Sequence, residues 1–358
     1  MKKKKEHKHS QAAKTNPTKA VLVAEPAHWK YQSILFVILL LTFIAYLPAL
    51  QNGFVWDDEP YITKNPLIYS FNLKEIFSQY VLGNYHPFTM LTLATEYHFF
   101  GLNATGYHSV NLLIHLLNVI LVFYSVFFLS DKSGVALAAA LLFGIHPLHV
   151  ESVAWAAELK DLLYTFFFLA SFICYLKYIK GFKKKYYVFA LVLFSISLLS
   201  KAMAASLPVV LVLTDYFKGR KINIKSLLEK APFFLLALIF GVVAIFAQKS
   251  SDAIQDMAVF SFPQKLTFAC YGFITYLYKL LSAQNLCVLY PYPIKNGADI
   301  PLQYYAYVIL FLGLASAVFY SLLYSKKVIY GIGFFTATVF LVLQLLPVGG
   351  AIMADRYS

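Results

Sequence analysis

The sequence predicts an all-α polytopic membrane protein, on three observations. The 358 residues are 60% hydrophobic and only 13% charged, whereas soluble domains carry roughly 25% charged residues. The apolar residues form blocks of about 17–25 residues with almost no charge, long enough to cross a hydrocarbon core of ~30 Å. Lysines gather in the short segments between blocks, as they do in cytoplasmic loops. Together these observations exclude a soluble enzyme and a disordered protein.

The N-terminal segment, residues 1–30, is predicted to be a disordered, basic, cytoplasmic tail. It holds eight lysines against Glu6 and Glu25 and lacks the apolar residues that a core requires. The net charge of +13 would suggest nucleic acid in a soluble protein. Here the lysines follow the loops between apolar blocks, so they predict topology and contact with anionic membrane lipids rather than nucleic acid.

The apolar blocks predict a transmembrane domain over residues 31–358 with nine spans. The spans are predicted at 34–50, 109–129, 134–150, 160–179, 186–200, 203–217, 232–248, 303–324 and 329–348. Residues 51–107 form a large outer loop with weakly amphipathic pieces near 72–82 and 88–100. Residues 264–290 are predicted to be a re-entrant or interfacial segment, because a full crossing would place Lys326 and Lys327 outside.

This topology gathers polar residues from distant segments on the outer face. Polar groups near the hydrocarbon region are energetically expensive, so such a gathering indicates an active site at the membrane surface. The residues are Asp57, Asp58, Glu59, His86, His146, His149, Glu151, Glu158, Lys160, Asp161, Lys201 and Arg356.

The acidic run after the first span has two interpretations. Asp57 or Asp58 is a general base that takes a proton from an acceptor hydroxyl. Alternatively the run is a solvated acidic turn that keeps the loop outside.

The segment 146–151 (HPLHVE) contains two histidines and a carboxylate at the outer end of a span. Because Pro147 ends or bends the helix, His146 and His149 are free to contact an anion or to cap the helix. A metal site with Glu151 as third ligand is the remaining alternative.

Three basic residues are candidates for contact with a phosphate. Lys160 either reaches a phosphate or pairs with Asp161, and Lys201 is either a phosphate contact or an anchor at the membrane surface. Arg356 has the strongest case, because a guanidinium matches phosphate oxygens bidentately and the chain contains only two arginines.

These segments resemble, in order, the transmembrane and tetratricopeptide-repeat-containing O-mannosyltransferases, membrane enzymes of the GT-C glycosyltransferase superfold with many bacterial relatives. The resemblance covers residues 50–358. It is carried by the segments 52–59 (NGFVWDDE), 85–89 (YHPFT), 106–115 (GYHSVNLLIH), 146–155 (HPLHVESVAW), 160–163 (KDLL), 199–201 (LSK), 290–293 (YPYP) and 355–357 (DRY).

The resemblance implies transfer of a hexose, mannose, from a polyprenyl-phosphate donor to Ser or Thr of exported protein, with inversion and without a cofactor or obligatory metal. It implies Asp57 as base, with Asp58 as its rival, and further spans and repeats after residue 358. His86 and Lys160 stand where arginines are expected, and Ala202 where glutamate is expected. His86 and Lys160 would therefore contact the phosphate more weakly than arginine does.

Two other functions remain open at this point. A related transferase would decorate a surface glycan or lipid from the same donor, and a proton-coupled transporter would use the histidines and carboxylates as a relay. The expected location is the bacterial inner membrane, with the N-terminus cytoplasmic and the site on the outer face.

Overall fold

A computed structural model describes residues 28–251, 260–293, 299–345 and 350–357. The predicted disordered tail lies almost wholly outside the described residues. The regular elements of the described residues are helices and one short two-stranded antiparallel ribbon. The helices and strands are α1 (His28–Tyr46), α2 (Pro66–Ser70), α3 (Leu73–Ser78), α4 (Pro87–Phe100), α5 (Ala104–Ser130), α6 (Ser133–Ile145), α7 (Val150–Ala154), α8 (Leu159–Gly181), α9 (Lys184–Ser200), α10 (Leu207–Phe217), α11 (Ile224–Leu228), α12 (Ala231–Ser250), α13 (Phe262–Ser282), β1 (Tyr290–Pro291), α14 (Gln303–Ser321), α15 (Lys326–Val339) and β2 (Ala351–Met353).

Among the described residues, five helices are long and apolar enough to cross a membrane, and a sixth span results if α6 and the bent segment after it count as one. The five are Tyr31–Gln51, Ala104–Ser130, Ala156–Gly181, Ala231–Ser250 and Gln303–Ser321. A polytopic all-α membrane protein is therefore confirmed, although nine spans are not. Helices α9, α10 and α15 occupy three predicted span positions but have only 17, 11 and 14 residues, so their status as spans stays a prediction.

Helix α13 lies where a re-entrant or interfacial segment is predicted. It is one unbroken helix of 21 residues, so it lacks the break that a re-entrant loop requires. The Leu280 carbonyl near its end contacts the His146 ring, and Phe268 near its beginning packs on Tyr304 at the start of α14. Both partners belong to the predicted outer face, which favours the interfacial arrangement.

The outer loop is packed against the helices that follow it. Its predicted amphipathic pieces are the helices α3 and α4, which bury Ile76 and Leu93 against Tyr107 of α5 and Trp155. Burial of these apolar side chains holds the loop over the junction between α7 and α8. This junction is the scaffold of the candidate site.

The helices α8 and α9 form an antiparallel hairpin that presents the outer ends of both helices at the same level. Phe172 and Phe194 lie in their shared core. Two hydroxyls bond across the pair, from Ser171 to the Ala190 carbonyl and from Ser197 to the Tyr164 carbonyl, both at 2.7 Å. Such interhelical hydrogen bonds stabilise helix pairs in membranes, and this pair brings Lys201 beside the beginning of α8.

Candidate active site at the outer face

Asp58 joins the outer loop to the beginning of α8. Its Oδ2 accepts a hydrogen bond from the Val55 N–H at 2.8 Å, and its Oδ1 accepts one from the Ala157 N–H at 2.7 Å. The residue is completely buried. Burial raises the pKa of Asp58 to about 6, although the two N–H donors act in the opposite direction. Both oxygens of this carboxylate are therefore engaged in holding the fold.

Asp57 differs from its neighbour because its carboxylate is partly exposed. Within the described parts of the chain, it has no side-chain hydrogen bond or ion pair. The preceding Trp56 has a positive φ of 47°, a left-handed conformation that is strained for a bulky residue. This turn lets Asp58 fold inward while Asp57 stays accessible. Of the two predicted candidates for the base, Asp57 is the one whose carboxylate is partly exposed and unbonded among the described residues.

A buried cluster of ion pairs lies beside this turn and contains equal numbers of carboxylates and cations. The Arg356 guanidinium contacts Glu151 at 2.6 Å and Glu158 at 3.6 Å. Lys160 Nζ lies 3.0 Å from Glu158. The members of the cluster are Glu151, Glu158, Asp161, Lys160, Lys201 and Arg356.

The second half of the cluster is the ion pair between Lys201 and Asp161. The side chains are only 15% and 8% exposed, so each charge depends on the other for compensation. The sequence left open whether Asp161 pairs with Lys160 or not. The structure pairs Lys160 with Glu158 and Asp161 with Lys201.

The C-terminal segment brings Arg356 into the cluster. The predicted YPYP motif contributes β1, which pairs with β2 just before the DRY motif. The Asp355 carboxylate accepts hydrogen bonds from the Tyr290 hydroxyl at 3.0 Å and from the Cys287 N–H. The Arg356 guanidinium then lies over two aromatic rings, 5.6 Å from the centre of Trp155 and 4.9 Å from the centre of Tyr357. These cation–π contacts fix the direction of the guanidinium.

His86 is buried beneath the cluster at the beginning of α4. It is 3% exposed, its ring packs 5.3 Å from Tyr61, and its Nε2 has no described partner. Burial, reinforced by the nearby Lys160 and Lys201, lowers the pKa of His86 to about 3. His86 is therefore neutral at physiological pH, and it offers a hydrogen bond rather than the charge of the arginine expected there.

His146 and His149 lie in different environments. His146 Nε2 lies 3.1 Å from the Leu280 carbonyl, and its Nδ1 accepts from the Leu148 N–H at 3.3 Å, so the capping alternative fits this residue. The His149 ring packs 4.5 Å from Phe143 and 6.1 Å from the His115 ring. Glu151, the third residue of the metal alternative, pairs with Arg356 in this structure. Within 28–251, 260–293, 299–345 and 350–357, no group of three or more His, Cys, Asp or Glu side chains suits a metal ion.

Two members of this site have a larger part in the structure than the sequence pattern indicates. Glu158, predicted only to lie on the outer face, contacts both Lys160 and Arg356. Tyr61, whose ring lies 4.8 Å below Lys160 Nζ, was not singled out. Glu158 could have been recognised from the sequence, because it stands two positions before Lys160 at the beginning of a predicted span. Nothing in the sequence pattern indicates Tyr61.

The fold and this cluster define a polytopic membrane protein with a charged, largely buried site at one end of its helices. Comparison with known proteins gives the relationship. The chain is 33% identical over 158 residues to a protein O-mannosyl-transferase of Caenorhabditis elegans. It is 34% identical over 142 residues to human protein O-mannosyl-transferase TMTC3 and 30% identical over 149 residues to human TMTC1. These matches confirm the resemblance to the transmembrane and tetratricopeptide-repeat-containing O-mannosyltransferases.

The matches are partial on both sides. They cover 40%, 36% and 37% of this chain, but only 23%, 15% and 16% of the respective relatives. No family model matches the chain, and no solved structure matches it.

Proposed function

We propose that the protein is a membrane glycosyltransferase that moves a hexose, mannose, from a polyprenyl phosphate to Ser or Thr hydroxyls of exported protein. The relatives named as protein O-mannosyl-transferases support the sugar and the protein acceptor. The single observation that carries the proposal is the bond from Asp58 to Ala157, because it fastens the turn that carries the partly exposed Asp57 to the beginning of α8, where the cluster of ion pairs lies. A transferase that uses a lipid phosphate as leaving group needs both parts.

Asp57 acts as the general base in this proposal. The acceptor hydroxyl oxygen attacks the sugar carbon C1 while its proton passes to the Asp57 carboxylate. The bond between C1 and the phosphate oxygen breaks, and polyprenyl phosphate leaves with the bonding electron pair. Attack from the face opposite the leaving group inverts C1. Asp58 serves as the positioning residue, because its bond to Ala157 holds the loop against the beginning of α8.

The cations stabilise the charge that develops on the leaving phosphate. Arg356, Lys201 and Lys160 lie in a largely buried setting where such interactions are stronger than in water. His86 supplies a neutral hydrogen-bond donor below them. Glu151, Glu158 and Asp161 act through the cations that they position. His149 remains a candidate substrate contact, whereas His146 shapes the end of α6.

The proposal extends to architecture and location. It includes a GT-C-like arrangement of nine spans with α13 at the interface, and no required metal or cofactor. The active site faces the outer side of a bacterial inner membrane and the N-terminus lies in the cytoplasm, as the lysine distribution predicts.

The experiment is transfer of labelled mannose from polyprenyl-phosphate mannose, in membranes that contain the complete gene product. Label on Ser or Thr of exported protein is the expected result. Label on glycan or lipid alone would replace the protein acceptor with a different one. Absence of label with mannose, glucose or other polyprenyl-phosphate hexoses would overturn the proposal.

A further inference from the structure

The Arg356 guanidinium has a partner at every nitrogen. One terminal nitrogen donates to Glu151 at 2.6 Å, and the other donates to the Tyr357 hydroxyl at 3.4 Å. The Nε nitrogen lies 3.6 Å from Glu158. The Glu151 contact is the shortest of these, and since guanidinium binds phosphate through the same N–H groups that bind carboxylate, a phosphate at this nitrogen has to displace Glu151.

The carboxylates differ in how readily they can be displaced. Glu151 contacts one cation and its side chain is 14% exposed. Glu158 contacts two cations and is 1% exposed, whereas Asp161 is 8% exposed and holds Lys201. Moving Glu158 or Asp161 would leave buried charge without compensation, which is strongly unfavourable. Glu151 can move toward water at the smallest cost.

The inner side of the cluster is unsuited to an incoming anion. Glu158 Oε2 and Asp161 Oδ2 are both buried and accept no N–H hydrogen bond from the described residues. The two carboxyl groups interact with each other, so this side offers an incoming phosphate no free hydrogen-bond donor. The side of Arg356 that Glu151 covers is therefore the favourable direction of approach.

We propose that Glu151 is an internal anion that occupies, in the donor-free protein, the place on Arg356 that the donor phosphate takes. This inference rests on the proposed function. One anion replaces another of equal charge, since the donor phosphodiester is a monoanion, so Arg356 stays compensated throughout. After transfer, the returning Glu151 carboxylate competes with the product phosphate for Arg356 and promotes its release.

A purely structural role for Glu151 makes a different prediction. In that case the pair with Arg356 only fastens the segment 351–357 to α7. Removal of the Glu151 charge would then lower thermal stability and weaken donor binding together, because Arg356 would lose its position.

The test is equilibrium binding of polyprenyl phosphate to the purified complete protein in lipid nanodiscs, with polyprenol of the same length as the reference. Glu151→Gln is compared with wild type and with Glu59→Gln, the matched control. Glu59 is an exposed carboxylate on the same face, paired with Lys64 outside the cluster. Both substitutions remove one negative charge from the outer face, so Glu59→Gln measures the effect of the net charge, although solvent screens the 53% exposed Glu59 more than the 14% exposed Glu151.

We expect Glu151→Gln to bind polyprenyl phosphate about five- to tenfold more tightly, and Glu59→Gln to bind it as wild type does. Product inhibition by polyprenyl phosphate should strengthen to the same extent. Unchanged or weaker binding by Glu151→Gln, or equal tightening in both variants, would overturn the inference. If Glu151→Gln does not fold, Glu151→Asp replaces it, because the shorter side chain loosens the pair with Arg356. Glu151→Asp should then bind polyprenyl phosphate more tightly than wild type, but by a smaller factor. Unchanged or weaker binding would again overturn the inference.

The same experiment separates this inference from the proposed function. Wild type that binds polyprenyl phosphate no better than polyprenol would refute the donor class itself. Wild type that prefers polyprenyl phosphate, combined with no gain in Glu151→Gln, would refute only the role of Glu151.

Discussion

Asp58 and Ala157 are joined by a hydrogen bond of 2.7 Å between a carboxylate oxygen and a backbone N–H that are 99 positions apart in the chain. This bond fastens the turn after the first span to the residues that precede Lys160. It also separates the roles of two adjacent aspartates, because it engages Asp58 and leaves Asp57 accessible. A substitution of Asp58 should therefore lower the stability of the fold, whereas a substitution of Asp57 should lower the rate of the reaction.

The first prediction concerns the stability of the Asp58→Asn variant. The asparagine amide group would direct N–H toward the N–H of Val55 or Ala157, so one buried donor would lose its acceptor. We expect a loss of about 1–3 kcal/mol in the free energy of unfolding, detected as a lower midpoint of thermal unfolding in detergent. Asp57→Asn is the matched control and should unfold as wild type does. Equal midpoints for both variants would contradict the assignment.

The second prediction concerns the buried pair of Lys201 and Asp161. Lys201→Met or Asp161→Asn alone leaves one buried charge uncompensated, so each should destabilise the protein by about 3–5 kcal/mol. The double variant should be more stable than either single variant, because neither charge remains. A double-mutant cycle of unfolding midpoints measures this coupling. Additive losses in the double variant would show that the two side chains are independent.

The third prediction concerns the pH dependence of stability through His86. Its pKa is lowered to about 3 in the folded protein but is about 6.5 in an unfolded chain. The unfolded state therefore binds more protons, and the contribution of His86 to stability is lost as pH falls from about 6.5 toward 3. His86→Gln should reduce the drop in unfolding midpoint between pH 7.5 and 5.

His98 provides the control for this pH experiment. It lies on the same helix, α4, but is exposed, so His98→Gln controls for the loss of one imidazole from this helix. Asp58 contributes in the opposite direction over part of this range. Because its pKa is raised to about 6, its unfavourable effect appears as pH rises from about 4 through 6. Comparing each variant with wild type cancels that contribution.

The fourth prediction concerns metals. The proposed mechanism uses cationic side chains for the leaving phosphate, so a chelator should leave the rate of mannose transfer unchanged. The measurement is turnover with and without ethylenediaminetetraacetate. A loss of activity that Mg²⁺ or Mn²⁺ restores would require a different account of the leaving-group stabilisation.

Much of the fold was predictable because hydrophobic blocks and lysine loops report directly on membrane topology. Five predicted spans are confirmed as long apolar helices, and the amphipathic pieces of the outer loop are the helices α3 and α4. Helix α13 was harder, since Lys265 and Lys279 interrupt its apolar pattern. Lys279 is satisfied locally, because its Nζ donates to the Gln284 and Asn285 carbonyls.

The candidate site was predictable as a set of residues but not as a set of partners. The predicted order of spans shows that Glu151, Lys160 and Arg356 share the outer face, because each lies at the end of a span that points outward. It does not show which carboxylate pairs with which cation, since that depends on side-chain directions after packing. For the same reason it could not decide between Asp57 and Asp58, which differ only in the direction that the turn at Trp56 gives them.

The central claim is that Asp57 takes the proton from the acceptor. The most direct measurement is the single-turnover rate of mannose transfer from polyprenyl-phosphate mannose by wild type, Asp57→Asn and Glu59→Gln, each as the complete protein in membranes. We predict that Asp57→Asn loses at least about 100-fold in rate, within the range typical of a general base. Its unfolding midpoint and its binding of polyprenyl phosphate should stay unchanged, and Glu59→Gln should retain its rate. A near-normal rate in Asp57→Asn would contradict the claim.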